Sequence, residues 1–218
     1  MGAYQELSNK IFEDIVKVAK DLNYSESNIL ILDNKETELK ENFPEVYNNL
    51  LSCGHNRDGR TPFEYAQDLV ASWLFEDCLV DTLNKNGIEV SLSGADKNRE
   101  ILSRKNVSSK SDTLITYNGK ERKLELMSDY KGYWKKYKRI DLRDDKYTEL
   151  KKSNSLFLGI STSDNSYIII DFSKDVKSKY TNYHPPFRKP CYFINIDESN
   201  LKKYDIKEIV NDLKKLIK

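Results

Sequence analysis

A hairpin pattern in the middle of the chain places the strongest constraint on its fold. Residues 113–117 and 122–131 have the composition of two strands, and Asn118-Gly119 lies between them. This dipeptide favours a two-residue β-turn, because both of its residues tolerate a positive φ angle. Strands joined by so short a turn pair antiparallel, so the chain is expected to contain a sheet in its central third.

The second strand of this hairpin has two chemically different faces, because successive side chains of a strand point to opposite sides. One face carries apolar and small polar side chains: Leu124, Leu126, Ser128 and Tyr130. The other carries charged side chains on either side of a methionine: Lys123, Glu125, Met127, Asp129 and Lys131. A two-residue turn also places Asp112 directly opposite Glu125, with their β carbons roughly 5 Å apart.

Two carboxylates at that separation repel each other unless a cation lies between them. Carboxylate oxygens select Mg²⁺, which takes one or two protein carboxylates together with waters or phosphate oxygens. A nearby lysine can orient an attacking water or neutralise the charge that develops on a phosphate. The hairpin is therefore interpreted as a metal site for cutting phosphodiester bonds. The alternative is an edge strand with a solvated, charged face, which the mid-chain position between apolar elements disfavours.

The remaining pattern predicts an α/β (α+β) fold with a mixed central β-sheet flanked by helices. The strongest predicted helix covers 62–86 and opens at Thr61-Pro62, with Glu64 at the third helical position of a capping box. Hydrophobic spacing predicts four further helices, over 4–23, 36–51, 139–152 and 199–218. Strands are predicted over 88–92, 155–161, 167–172 and 191–196, and the basic segment 174–190 is expected to be irregular.

The chain of 218 residues suits one domain, with an N-terminal helical part over 1–61, a core over 62–172 and a C-terminal strand and helix over 173–218. Its 36 Lys and Arg residues nearly balance 35 Asp and Glu residues, so any polyanionic partner must be bound by local clusters. The three cysteines lack zinc spacing. With no leader pattern and no membrane-spanning run, a cytoplasmic protein with reduced thiols is expected.

These hairpin residues resemble the PD-(D/E)xK nuclease superfamily, which includes type II restriction endonucleases and Holliday-junction resolvases. In that family an Asp begins one strand and a (D/E)xK motif lies on the adjoining strand. Asp112 matches the first Asp, with Ser111 in place of the usual Pro. Two segments compete for the second half. Asp129-Tyr130-Lys131 matches DxK literally, whereas Glu125 has the better hairpin spacing but has Met127 where the lysine belongs.

The resemblance implies a Mg²⁺-dependent nuclease whose metal is held by Asp112 and by Glu125 or Asp129. Lys131 would orient the attacking water, and Lys146 on the next helix is a second candidate for that role. Glu76, from the helix before the first core strand, would support the metal shell. The order of helix, strand, hairpin, helix and strand over 62–172 agrees with the family's core.

The expected activity is that of a type II restriction enzyme, a homodimer that cuts double-stranded DNA at a specific sequence and whose symmetry matches a palindromic site. Basic and polar side chains in three segments are the expected DNA contacts: Asn56, Arg57, Arg60, Lys135, Lys136, Lys138, Arg139, Arg143, His184, Arg188 and Lys189. Alternatives are a structure-selective or repair nuclease of the same fold, a DNA-binding module that has lost catalysis, and a protein-interaction domain.

Overall fold

The structure is a computed structural model that describes residues 15–53, 61–92, 95–101, 113–129, 132–185, 187–197 and 200–218. The chain divides into two compact units. The helical unit contains the described residues up to Asp81 together with those from Ala95 to Ile101. The sheet unit contains the described residues from Thr82 to Leu92 and from Thr113 to the C-terminus.

Among its described residues, the helical unit contains five helices: α1 (Ile15–Asp21), α2 (Glu26–Leu32), α3 (Glu36–Asn42), α4 (Pro44–Cys53) and α5 (Pro62–Lys85). The last turn of α5 belongs to the sheet unit, and a short 3₁₀ turn (Ala95–Asn98) belongs to the helical unit. The predicted capping box opens α5. The Thr61 hydroxyl accepts from the Glu64 N–H at 3.2 Å, and the Glu64 carboxylate accepts from the Thr61 N–H at 2.6 Å. This reciprocal pair satisfies two donors at the start of the helix.

Two features of the helical unit differ from the sequence prediction. The single helix predicted over 36–51 is wrong, because Phe43 leaves the helical conformation at φ −133° and ψ 60° between α3 and α4. The following Pro44 disfavours a helical Phe43 and offers no N–H to continue the first helix. Helix α2 was not predicted. It begins at Ser25, whose hydroxyl accepts from the Asn28 N–H at 3.3 Å.

The sheet unit contains a six-stranded mixed sheet in the order β1-β2-β3-β5-β6-β9. Its strands are β1 (Glu89–Leu92), β2 (Thr113–Tyr117), β3 (Lys120–Asp129), β5 (Leu156–Ser161), β6 (Ser166–Asp171) and β9 (Lys202–Lys203). Neighbouring strands are antiparallel except β3 and β5, which pair parallel from Leu124↔Leu156 to Asp129↔Ser161. A parallel pair needs a crossover connection, and the chain between β3 and β5 provides it.

The central hairpin agrees with its prediction. Asn118 and Gly119 have φ angles of 51° and 75°, as the tightest hairpin turn requires, and Tyr117 pairs with Lys120 across it. The register then runs to Thr113↔Leu124. Glycine adopts this positive φ without strain, whereas an Ala at position 119 would be strained. The Asn-Gly dipeptide is therefore a reliable indicator of this turn.

The crossover from β3 to β5 contains α6 (Tyr133–Tyr137), β4 (Arg139–Arg143) and α7 (Asp144–Lys152). Helix α7 lies against one face of the mixed sheet, where the Lys123 ammonium is 3.5 Å from the Glu149 carboxylate. The C-terminal helix α8 (Ile206–Ile217) lies against the other face, where the Arg122 guanidinium donates to the Leu216 carbonyl at 3.2 Å. The predicted class, a mixed sheet flanked by helices, is therefore confirmed.

A second, three-stranded antiparallel sheet in the order β4-β8-β7 was not anticipated as a separate sheet. Its other strands are β7 (Ser178–His184) and β8 (Lys189–Asn195). The apolar core lies between this small sheet, α7 and the mixed sheet: Trp134, Ile140, Leu142, Tyr147, Leu150, Phe157, Ile168, Phe172, Ile194 and Ile196. Along the described ranges, no helix combines the length and apolar character needed to cross a bilayer.

Three predicted elements of the sheet unit are wrong in whole or in part. The helix expected over 139–152 begins only at Asp144, because Ile140 and Leu142 alternate with charged side chains at the period of a strand. The segment 174–190, expected to be irregular, contains β7, which pairs with β8. The C-terminal helix begins at Ile206 instead of 199, with Asp205 as its N-cap.

Candidate functional site

Glu125 and Lys146 form a buried ion pair at the centre of the sheet unit. Glu125 lies in the middle of β3, between β2 and β5, and is only 4% exposed. The Lys146 ammonium is 2.8 Å from one Glu125 carboxylate oxygen, and its side chain is 15% exposed. Two charges so far removed from water are tolerated only when they neutralise each other, so the contact holds both side chains in place.

Strand and helix geometry explain this contact. Lys123 and Glu125 point to the same side of β3, and Lys146 and Glu149 are neighbours one helical turn apart on α7. The two ion pairs Lys123–Glu149 and Lys146–Glu125 therefore link strand and helix side by side. The third side chain of that strand face, Met127, packs against the apolar core. The face predicted to be charged is thus covered by α7, and Glu125 lies between packed elements.

Asp129, at the end of β3, holds the start of helix α6. One of its carboxylate oxygens accepts from the Tyr133 N–H at 3.0 Å and the other from the Trp134 N–H at 2.8 Å. The exposed N–H groups of a helix start are satisfied in this way, and the negative charge is favourable there. Asp129, the first residue of the literal DxK match, therefore has a structural role, because it supplies the acceptors for the first N–H groups of α6.

Glu76 lies in the helical unit, where its carboxylate is 2.7 Å from the Arg99 guanidinium. Arg99 also pairs with Asp77, which accepts from the Tyr24 hydroxyl at 2.5 Å. Burial, followed by the hydrogen bond to Asp77, raises the pKa of Tyr24 well above its usual range. The role predicted for Glu76 in a metal shell stays a prediction. In the structure, this carboxylate forms an ion pair with the Arg99 guanidinium.

Five predicted site residues lie outside the described residues: Asn56, Arg57, Arg60, Asp112 and Lys131. The pairing of Asp112 with Glu125 therefore stays a prediction, although the register from which it was extrapolated is the one that β2 and β3 adopt. Among the residues that the structure describes, no group of three or more Asp, Glu, His or Cys side chains is placed to hold a metal. A Mg²⁺ site here would use Glu125 and Asp112, and two carboxylates suffice for this ion because waters and phosphate oxygens complete its shell.

The predicted DNA contacts in the sheet unit fall around the small sheet. Lys135 and Lys136 on α6, Lys138 after it, and Arg188 and Lys189 at the β7–β8 connection are all exposed. Arg139 and Arg143 alternate with the apolar side chains of β4 and lie on the face of the small sheet opposite the core. His184 is buried at 3% exposure, so its ring is held inside the protein.

A buried polar cluster, not predicted from the sequence, is centred on Asp141. The carboxylate of Asp141 accepts from the Tyr133 hydroxyl at 2.5 Å, contacts His184 Nε2 at 2.8 Å and pairs with the Arg139 guanidinium at 2.8 Å. The Phe187 N–H donates to His184 Nδ1 at 3.3 Å, so Nε2 carries the proton that Asp141 accepts. The alternation of Arg139 and Asp141 with Ile140 and Leu142 was the available signal, and it was attributed to a helix.

Comparison with known proteins adds little to this geometry. No family model matches the chain. No curated protein matches it either. One solved structure that aligns with it is Archaeoglobus fulgidus Hjc, a Holliday junction resolvase from an archaeal hyperthermophile. The alignment has 14% sequence identity, covers 62% of this chain and 92% of that chain, and gives a TM-score of 0.35. A similarity of this size assigns no family.

Proposed function

We propose that the chain is a divalent-metal-dependent nuclease that acts on DNA, with its centre at Glu125 and Lys146. The observation that carries the proposal is the buried contact between these two side chains, on the strand where a (D/E)xK motif was expected. The lysine that Met127 replaces in that motif is supplied instead by helix α7.

Each residue of the pair has a role in this proposal. Glu125, with Asp112, would hold Mg²⁺, and bound Mg²⁺ supplies Lewis-acid stabilisation of the charge that develops on the phosphate. Lys146 presents an ammonium group within hydrogen-bond distance of the Glu125 carboxylate, where it can orient a water and neutralise negative charge. Lys131 stays a candidate for the same task. The expected homodimer also stays a prediction.

Type II restriction activity and structure-selective cleavage are the two finer forms of this proposal. We favour structure-selective cleavage, because Tyr137 and Phe187, on segments that adjoin the small sheet, are exposed among basic side chains, and such rings bind unpaired bases better than paired ones. A DNA-binding module without catalysis is the candidate from another functional class, since the exposed lysines would serve it equally well.

The test compares cleavage of three DNAs, with Mg²⁺ and with EDTA: supercoiled plasmid, blunt linear duplex and a four-way junction. Glu125→Gln is expected to reduce Mg²⁺-dependent cleavage by about a hundredfold or more, since it removes a metal ligand. Glu121→Gln is the matched control, because Glu121 lies exposed on the same strand and should leave the rate unchanged.

Discrete plasmid fragments would support the restriction form, and cleavage confined to the junction would support the structure-selective form. Equal cleavage by wild type and Glu125→Gln would contradict the site. DNA binding without any Mg²⁺-dependent cleavage would leave the non-catalytic module as the explanation.

A further inference from the structure

A continuous row of ring contacts, partly buried, runs along the face of the small sheet opposite the apolar core. Tyr133 and Tyr137 are 4.4 Å apart between ring centroids, and the Arg139 guanidinium lies 5.9 Å from the Tyr137 ring. The same guanidinium lies 4.2 Å from the Phe193 ring. His184 continues the series, 5.7 Å from Phe193 and 4.5 Å from Phe187. We call these six side chains the aromatic row.

Two rings of the aromatic row, Tyr137 and Phe187, are open to solvent, and the side chains between them are fixed by hydrogen bonds and ion pairs. Tyr137 is 47% exposed and Phe187 is 36% exposed. Between them, Asp141 binds Arg139 and His184, while the His184 ring accepts from the Phe187 N–H. The exposed rings are therefore held on a rigid support, which lowers the entropy lost when a ligand stacks on them.

Positive charge surrounds the aromatic row. The Lys136 ammonium lies 5.1 Å from the Tyr137 ring, and Arg139 is part of the row itself. Further exposed cations stand on the neighbouring segments: Lys135, Lys138, Lys179, Arg188 and Lys189. The carboxylate that binds Arg139 and His184 of the row, Asp141, is 5% exposed, so it presents little negative charge to a ligand.

We propose that the aromatic row binds unpaired bases of a single-stranded DNA segment, with the surrounding lysines and arginines on its phosphates. In a duplex each base is stacked on its neighbours, and its flat face is not available to a protein ring. Only unpaired bases can stack on Tyr137 and Phe187, and every base type can do so. A surface that bound only the phosphate backbone would need the lysines but would not need exposed rings.

This proposal rests on the nuclease function proposed above, because two structural elements connect the aromatic row to the candidate site. Helix α6 carries Tyr137, and its start is bound by Asp129 at the end of β3. Strand β4 carries Arg139 and runs directly into α7, which carries Lys146. A substrate with a single-stranded branch or end beside a duplex would therefore suit the protein better than an uninterrupted duplex.

The test measures equilibrium binding by fluorescence anisotropy in EDTA, so that cleavage does not enter the result. The probes are a short oligo(dT), an abasic oligonucleotide with the same phosphates and no bases, and a blunt duplex. Tyr137→Ala and Phe187→Ala are each expected to weaken binding of oligo(dT) about tenfold, as loss of one stacked base implies. Binding of the abasic strand and of the duplex should change less than about twofold, since their contacts are ionic.

Tyr180→Ala is the matched control. Tyr180 is 51% exposed in the same small sheet, but it points to the opposite face, where it contacts Tyr192. The control should bind all three probes as wild type does. Equal losses on all three probes, no loss on oligo(dT), or the same loss in Tyr180→Ala would each overturn the proposal.

The binding and cleavage results can fail separately. If Mg²⁺ supports no cleavage of any DNA but Phe187→Ala still loses oligo(dT) selectively, the nuclease function is wrong and the aromatic row is still a single-strand binding surface. If cleavage requires Glu125 but the row variants bind every probe normally, the nuclease function stands and the row is not its substrate contact.

Discussion

The Lys146 ammonium, on helix α7, lies 2.8 Å from the carboxylate of Glu125 on strand β3. Helix α6 and strand β4 lie between the two residues in the sequence. The contact places a cation beside the carboxylate, although Met127 stands where a (D/E)xK motif would have its lysine. A lysine supplied from a helix can serve the same chemistry, because what matters is the position of its ammonium group relative to the reacting phosphate.

Replacing Lys146 with Met is expected to reduce both stability and activity. Methionine has a similar length but no charge, so Glu125 would be left buried without its cation. Breaking one partner of a buried ion pair typically costs about 3–5 kcal/mol of unfolding free energy. Urea denaturation measures this loss, and Lys152→Met, an exposed change on the same helix, is the control expected to lose less than about 0.5 kcal/mol.

The double variant Glu125→Gln with Lys146→Met distinguishes a catalytic pair from a structural one. With both charges removed, most of the lost unfolding free energy should return, because a neutral buried pair needs no counter-ion. DNA cleavage should not return. If the double variant recovers both stability and cleavage, the pair is structural and the active centre lies elsewhere.

Asp129→Ala is expected to lower stability while leaving cleavage within about fivefold of wild type. The substitution leaves the Tyr133 and Trp134 N–H groups without their acceptor, and losing a helix N-terminal acceptor costs about 0.5–2 kcal/mol. Asp129→Asn retains one acceptor oxygen and should lose less. Thermal unfolding followed by circular dichroism measures stability, and plasmid cleavage is assayed well below the midpoint. A large loss of cleavage in a fully folded Asp129→Asn protein would instead make Asp129 a metal ligand.

The sequence was sufficient for the hairpin, because its turn and both strands are specified by residues close together in the chain. Asn118 and Gly119 accept positive φ angles, and the alternation on either side fixes the register. Helix α5 was predictable for the same reason, since Thr61 and Glu64 cap it locally. The mixed α/β class followed from the order of these elements.

The side chains that contact Glu125 and Asp129 could not be predicted from local sequence, because these contacts form only when distant elements pack together. Lys146 was a secondary candidate until α7 placed it beside Glu125. Asp129 matched a motif by composition, yet its carboxylate binds a helix start that begins four residues later. The strand at Arg139–Arg143 was misassigned to the following helix because Ile140, Tyr147 and Leu150 recur at helical spacing, although the two-residue spacing of Ile140 and Leu142 is that of a strand.

Gly159→Ala is expected to destabilise the sheet unit by about 1–3 kcal/mol through overpacking. Gly159 lies in β5 opposite Met127, and an added β carbon would stand 2.7 Å from Trp134 Cη2 and 2.9 Å from Phe157 Cε1. Chemical denaturation measures the change. The double variant with Trp134→Phe should lose less than the sum of the two single changes, because the smaller ring makes room for the new methyl group. Strict additivity would contradict the contact.

The decrease in unfolding free energy at alkaline pH should depend in part on Cys191. Burial, followed by the nearby Asp141 carboxylate, raises the pKa of this thiol to about 11, whereas an unfolded chain releases the same proton near about 8.5. The neutral thiol therefore contributes stability that is fully present below about pH 8.5 and is lost as the pH rises towards about 11. In Cys191→Ala this contribution is missing at every pH, and all other ionisable groups are the same in the two proteins. The difference in unfolding free energy between wild type and variant should consequently narrow as the pH rises across that range, measured by urea denaturation at successive pH values. A difference that stays constant with pH would mean that the Cys191 thiol ionises at its ordinary pKa in the folded protein.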